Sequence, residues 1–141
     1  MSVIVKEYCG IASEICSEVE ISSSLPERGT KRSFHCNAIW DTGATASGIS
    51  DTVARRLGLS AVNYVFIETA NGKCEVPSYI IDIRLPGGHT IERINATGMD
   101  LESCDALIGM DIITLGDFLV TNAPNTRFEF RVPSRGVLPL D

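Results

Sequence analysis

The residues best placed to do chemistry lie in the stretch A38-I39-W40-D41-T42-G43-A44-T45-A46-S47. An apolar run delivers one carboxylate, Asp41, into a set of small residues. An ionised aspartate buried without partners is heavily penalised, so such an acid must pair, accept hydrogen bonds or take up a proton. It is either a surface turn or a working acid. Other chemistries have less behind them. The cysteines, Cys9, Cys16, Cys36, Cys74 and Cys104, are odd in number, irregularly spaced and without a C-x-x-C pair. Neither a disulfide framework nor a zinc site is expected, and they read as small buried apolar residues in a reducing compartment. His35 and His89 stand in strand-like stretches with no acid or nucleophile at an informative spacing, which leaves Cys-His and Ser-His-Asp arrangements unsupported. No metal or cofactor is expected.

The elements that must position Asp41 are mostly strands. V3-I4-V5, I15 to I21 and S33 to W40 carry β-branched and aromatic residues with partial two-residue alternation, and are expected as N-terminal hairpin strands. A polar, Pro- and Gly-bearing connector over 22–29 separates the latter two. After D-T-G, residues 50–58 predict a short helix with Ser50 or Asp51 as N-cap and Gly58 as the stop. Residues 62–70 and 73–85 meet across N71-G72, a dipeptide favoured in type I′ hairpin turns, with Pro77 confined to an edge or bulge. H89 to N95 reads as another strand. D105 to G109 reads as a strand leading into a short helix closed at Gly116, with Asp111 as its cap. Residues 117–122 and 126–132 form a last hairpin about A123-P124-N125. Residues 1 to about 14 and 133–141 are expected to be loosely attached.

The chain has 141 residues, most simply one domain with its core over about 15–132. Eighteen acidic against 12 basic residues give a formal charge of −6, with the basic residues scattered. That balance argues against nucleic acid or an anionic membrane as partner. The N-terminus lacks the basic start and apolar run of a secretory signal, and no apolar run approaches a membrane span, so a cytoplasmic protein is expected.

Three features therefore follow in order: an acid with Thr-Gly after it at the end of an apolar strand, a long hairpin, and an apolar strand ending in Ile-Gly before a short helix. This resembles the retroviral-type, or retropepsin-like, aspartic proteases, above all their free-standing cellular and bacterial members. The carrying residues are I39-W40-D41-T42-G43-A44, the hairpin tip T69-A70-N71-G72-K73 and A106-L107-I108-G109-M110-D111. The resemblance implies an all-β acid-protease fold with a flap hairpin and one or two short helices. It implies Asp41 as the catalytic aspartate, Thr42 bonding across to another subunit, and Gly43 and Ala44 supporting the active site. Thr69, Ala70, Asn71 and Gly72 would form a flap over a peptide or protein substrate.

Amide hydrolysis without a metal or covalent intermediate needs a base to activate water and an acid for the carbonyl oxygen, and two carboxylates sharing one proton can be both. Only one D-T-G occurs in this chain. A second carboxylate would have to be the same residue of a second copy, a homodimer with Asp41 facing Asp41′. Many retroviral members carry an acid after D-T-G-A and an arginine after Ile-Gly; Thr45 and Met110 stand there instead, so that ion pair is absent. The single glycine at the hairpin tip predicts a stiffer flap. Trp40 is expected in core or interface packing. The alternative is a catalytically silent retropepsin-like dimerisation or peptide-binding module, because a fold does not fix a function.

Overall fold

Strand β3, Ser33–Trp40, alternates exposed and buried positions and buries Cys36, Ala38 and Trp40 before handing the chain to Asp41. The structure, a computed structural model, describes residues 2–25 and 32–136 of the chain. Upstream lie β1, Ser2–Glu7, and β2, Cys16–Ser23. Downstream, β4, Gly48–Ser50, runs directly into helix α1, Asp51–Arg56. The Ser50 side chain accepts from the Val53 N–H, the N-cap expected from sequence, and Gly58, at φ +62°, follows the helix. A long hairpin follows, β5, Asn63–Thr69, and β6, Gly72–Arg84. The chain then forms β7, Thr90–Met99, β8, Ala106–Ile108, helix α2, Met110–Ile113, β9, Asp117–Thr121, and β10, Arg127–Val132.

Two sheets result. The larger runs β2-β3-β8-β4-β7-β6-β5, and β2 also pairs with β6; the smaller runs β1-β10-β9. Trp40 joins them. Its ring lies 4.8 Å from that of Phe130, 5.1 Å from Phe128 and 6.2 Å from Phe118, and its indole N–H donates to Ser17 Oγ. Phe128 and Phe130 are wholly buried, as are Ile21, Ile49, Ile81, Ile108 and Ile112. These side chains form the core whose apolar burial drives the fold.

Several expectations change. β2 and β3 pair as a hairpin, but Val3, Ile4 and Val5 do not join it; β1 pairs antiparallel with β10, Ile4 opposite Phe130. A strand so short cannot bury its apolar face by local pairing, and the aromatic face of the last hairpin offers the better partner. Residues 2–7 are thus part of a sheet, not loosely attached, and Ser134 and Arg135 bond back to Asp117. Of the expected 22–29 connector, Ser22 and Ser23 extend β2, and residues from 26 onward lie outside the described residues, as do 137–141. The long hairpin turns on Ala70-Asn71, with Thr69 paired to Gly72. A type I′ turn needs positive φ at both central residues; here Gly72 alone takes it, at +104°, as first residue of β6, while Thr69 Oγ1 accepts from the Asn71 N–H. Pro77 stands opposite Tyr64 in the β5–β6 ladder and one residue before the β6–β7 ladder begins at Ser78, so it is paired on one side of β6 only. β7 runs four residues past Asn95, and His89 precedes it in the turn.

Candidate active site

Asp41 leaves the end of β3 where that strand runs parallel to β8, Trp40 opposite Ile108. Its own N–H extends the ladder by donating to the Ile108 carbonyl at 2.8 Å. The chain turns at once: the Ala44 N–H donates to the Asp41 carbonyl at 3.2 Å, and the Gly43 N–H donates to Asp41 Oδ1 at 2.8 Å. One carboxylate oxygen is thereby oriented by backbone, as for an acid that must hold a fixed direction. A side chain at Gly43 would begin 3.2 Å from that oxygen, tight enough to disturb it. Asp41 and Ala44 are half-buried, and Thr42 and Gly43 are exposed. Among the described residues the carboxylate meets no cation, and the Thr42 hydroxyl has no hydrogen-bond partner.

Strand β8 lies between β3, to which it is parallel, and β4, to which it is antiparallel, so the loop over 41–47 crosses the end of β8. Gly109 follows β8 directly beneath this loop. A Cβ there would lie 2.8 Å from the Ala44 carbonyl oxygen and 2.8 Å from the Ala46 carbonyl carbon and oxygen. Only glycine permits so close a backbone approach. Beside it, the Met110 N–H donates to the Ala44 carbonyl at 2.7 Å.

The loop is held by two residues that sequence reasoning placed elsewhere or passed over. Ser47, 1% exposed, donates its hydroxyl to Asp111 Oδ1 at 2.7 Å and accepts from the Gly109 N–H at 3.0 Å. Its backbone N–H donates to Asp111 Oδ2 at 3.0 Å, and its carbonyl accepts from the Thr97 N–H at 3.0 Å. Every polar group of Ser47 is satisfied, as burial demands. Asp111 is therefore not the helix cap. Gly109 occupies that place without a side-chain bond, and Asp111, inside the first turn of α2, turns both oxygens to the loop while also accepting from the Ile112 N–H. With Thr45 and Met110 in place of the charged pair, a hydroxyl–carboxylate tie two residues beyond Thr45 and one beyond Met110 joins the same two segments. The signal was a serine six residues after Asp41 and an acid two after Gly109, too common singly to stand out.

Thr69, Ala70, Asn71 and Gly72 form the exposed tip of the long hairpin and make no hydrogen bond to the loop over 41–47 among the described residues. The one chain thus gathers Asp41, Thr42, Gly43 and Ala44 and leaves the tip residues apart. The cysteines depart from their expectation as uniformly buried residues: Cys9 and Cys74 are exposed, Cys16 and Cys104 intermediate and only Cys36 buried, all as free thiols. Burial, with the nearby Asp105 and Cys104, pushes the Cys36 thiol up to about 12, so it is no nucleophile at neutral pH. No cluster of three or more His, Cys, Asp or Glu able to hold a metal occurs among the described residues, and no helix there is long and apolar enough to cross a membrane.

A model of the "gag-polyprotein putative aspartyl protease" family matches residues 32–114, from the start of β3 to the end of α2. The chain belongs to that family. The matched stretch holds the D-T-G turn, the long hairpin and the Gly109 crossing. No curated protein matches the sequence. Among solved structures, a retropepsin-like aspartic protease from Rickettsia conorii is similar over 92% of both chains, with 16% identity and a TM-score of 0.55. The EIAV protease complexed with the inhibitor HBY-793 is similar over 72% of this chain and 86% of its own, with 20% identity and a TM-score of 0.52. At these identities the likeness is one of fold, and the fold of this aspartyl protease family member is the all-β retropepsin-like one.

Proposed function

We propose that the protein is an aspartic endopeptidase whose active site is completed by a second copy, Asp41 and Asp41′ sharing one proton. The observation that carries this reading is Asp41 itself: a family-matched D-T-G carboxylate, oriented by the Gly43 N–H and tied to β8, yet half-exposed and, among the described residues, without any cation or second acid from its own chain. Two carboxylates brought together cannot both be ionised at low cost, so the pair holds one proton and contains a base and an acid at once. The ionised member takes a proton from water as the water oxygen bonds to the peptide carbonyl carbon, and the other gives its proton to the carbonyl oxygen. Collapse of the tetrahedral species breaks the C–N bond, with a proton passing to the departing nitrogen. The exposed Thr42 hydroxyl is free to bond to the second copy, and the 69–72 tip to cover a bound peptide or protein.

The test is cleavage of a diverse peptide library by wild type and Asp41→Asn across acidic to neutral pH. Wild-type cleavage that falls ~100-fold or more in the variant is expected. Equal cleavage by both would remove the assigned role.

A further inference from the structure

We infer that Cys16 and Lys6 form a peroxide-reactive pair, in which the Cys16 thiol is oxidised to a sulfenic acid and the Lys6 ammonium supplies charge and a proton. The inference stands whether or not Asp41 cleaves peptides. Reaction of a thiol with a peroxide is fast where a cation lies beside the sulfur and the oxidant can reach it. Among the described residues only Cys16 combines the two. Its Sγ lies 3.4 Å from Lys6 Nζ, and the residue is partly exposed. Cys9 and Cys74 are more open, but no cation lies at hydrogen-bond distance from either among the described residues, and the Cys74 thiol donates to the Glu75 carbonyl instead. Cys36 is buried, and burial pushes the Cys104 thiol up against the opposing bonds of the Ile39 and Ala106 N–H groups.

Lys6 lies on β1 and Cys16 opens β2, so the contact joins two strands that do not pair with each other. Groups other than the thiol hold both ends. The Lys6 ammonium also donates to the Cys16 carbonyl at 2.9 Å and sits 5.0 Å from the centre of the Tyr8 ring, within reach of its π face. The Tyr8 hydroxyl accepts from the Cys16 N–H at 3.1 Å and donates to the Cys16 carbonyl at 3.3 Å. Burial works against the charge on Lys6, but the bonds and charges of Cys16 and Tyr8 outweigh it and hold the amine above the ordinary lysine value. A proton donor therefore stands at the sulfur at neutral pH. The reaction balances with one hydroperoxide as oxidant. The sulfur lone pair attacks one oxygen of hydrogen peroxide, an S–O bond forms and the O–O bond breaks. The departing hydroxide takes a proton from Lys6 and leaves as water, and the thiol proton restores the ammonium. Sulfur gives up two electrons, and the peroxide is reduced. Cys16 stands opposite Ile39, two residues before Asp41, and the Ile15 carbonyl accepts from the Trp40 N–H at 2.8 Å. The new oxygen thus enters beside the strand that carries the acid.

The experiment treats the folded full chain with hydrogen peroxide and dimedone, and follows sulfenic acid at each cysteine by mass spectrometry with peptide fragmentation. Wild type, Lys6→Met and Lys6→Arg are compared, with circular dichroism of each. In wild type, Cys16 should label about tenfold or more faster than Cys9 and Cys74, despite their greater exposure. Lys6→Met should remove most of that lead, and Lys6→Arg, which keeps the charge, should retain most of it. Labelling of Cys9 or Cys74 as fast as that of Cys16 overturns the pair. So does a Cys16 rate unmoved by Lys6→Met, or one that Lys6→Arg lowers as far as Lys6→Met does. Should Lys6→Met lose its dichroism, wild type unfolded in concentrated urea supplies the second measurement. The lead of Cys16 should vanish there, and a lead that survives unfolding would refute a site built by the meeting of β1 and β2.

Discussion

Ser47→Ala isolates the tie that holds the D-T-G loop. The substitution removes only an oxygen, so no void large enough for water appears and packing is nearly kept. Two bonds go: the hydroxyl donated to the Asp111 carboxylate at 2.7 Å and the one accepted from the Gly109 N–H at 3.0 Å. A bond to a charged acceptor contributes about 1.5–3 kcal/mol, and a buried N–H left without an acceptor costs ~1–3 kcal/mol. Asp111 retains the bonds from the Ser47 and Ile112 backbone N–H groups, so part of the loss is recovered by relaxation. The expected destabilisation is about 2–4 kcal/mol, measured by urea unfolding at one protein concentration because association would shift the midpoint. Since the loop also aims Asp41, cleavage of the best library peptide should fall chiefly in kcat. Ser47→Thr, which keeps the hydroxyl, should recover most of the activity. A loss under about 0.5 kcal/mol with unchanged kcat would refute the view that this tie positions the acid.

Gly109→Ala should prove worse than its single methyl group implies, since the Cβ meets backbone of both Ala44 and Ala46 at 2.8 Å; a loss of about 1–3 kcal/mol and of most cleavage is expected, and a neutral result in unfolding and peptide assays would contradict the close crossing. Asp117→Asn tests the clasp between β9 and the segment after β10. Bonds from the Ser134 hydroxyl and the Arg135 N–H, with the Arg131 and Arg135 charges, hold the Asp117 carboxyl below its usual range against an opposing effect of burial. A folded-state value below the unfolded one means stability that is present above the unfolded value, about pH 4, and is lost as pH falls through the folded one. The variant should therefore be less stable than wild type near neutral pH, with the difference shrinking in urea titrations carried toward about pH 3. A difference that grows on acidification would reverse the sign of that argument.

The strand that carries Asp41, the long hairpin and the last hairpin were all legible, because their signals are local: alternation along a few residues, a Gly or Pro between them, a serine at a helix start. So was the turn at Asp41, since small residues after an apolar strand allow the tight return in which the Gly43 and Ala44 N–H groups bond back to it. The Ala70-Asn71 turn was misplaced by one residue because Asn-Gly also suits a turn whose glycine falls just after it, and strand pairing decides between the two.

What amino-acid order determined on its own was the inventory: one D-T-G, an apolar strand before it, an Ile-Gly before a short helix, and no second acid of the same kind. What only the tertiary structure decided was which distant pieces touch. Ser47 and Asp111 are 64 positions apart and β1 pairs with the last strand of the chain, and no periodicity encodes such choices. They follow from close packing: Gly109 must pass under the loop over 41–47, which sets the buried Ser47 against the half-buried Asp111, each bonded to the other and to nearby backbone.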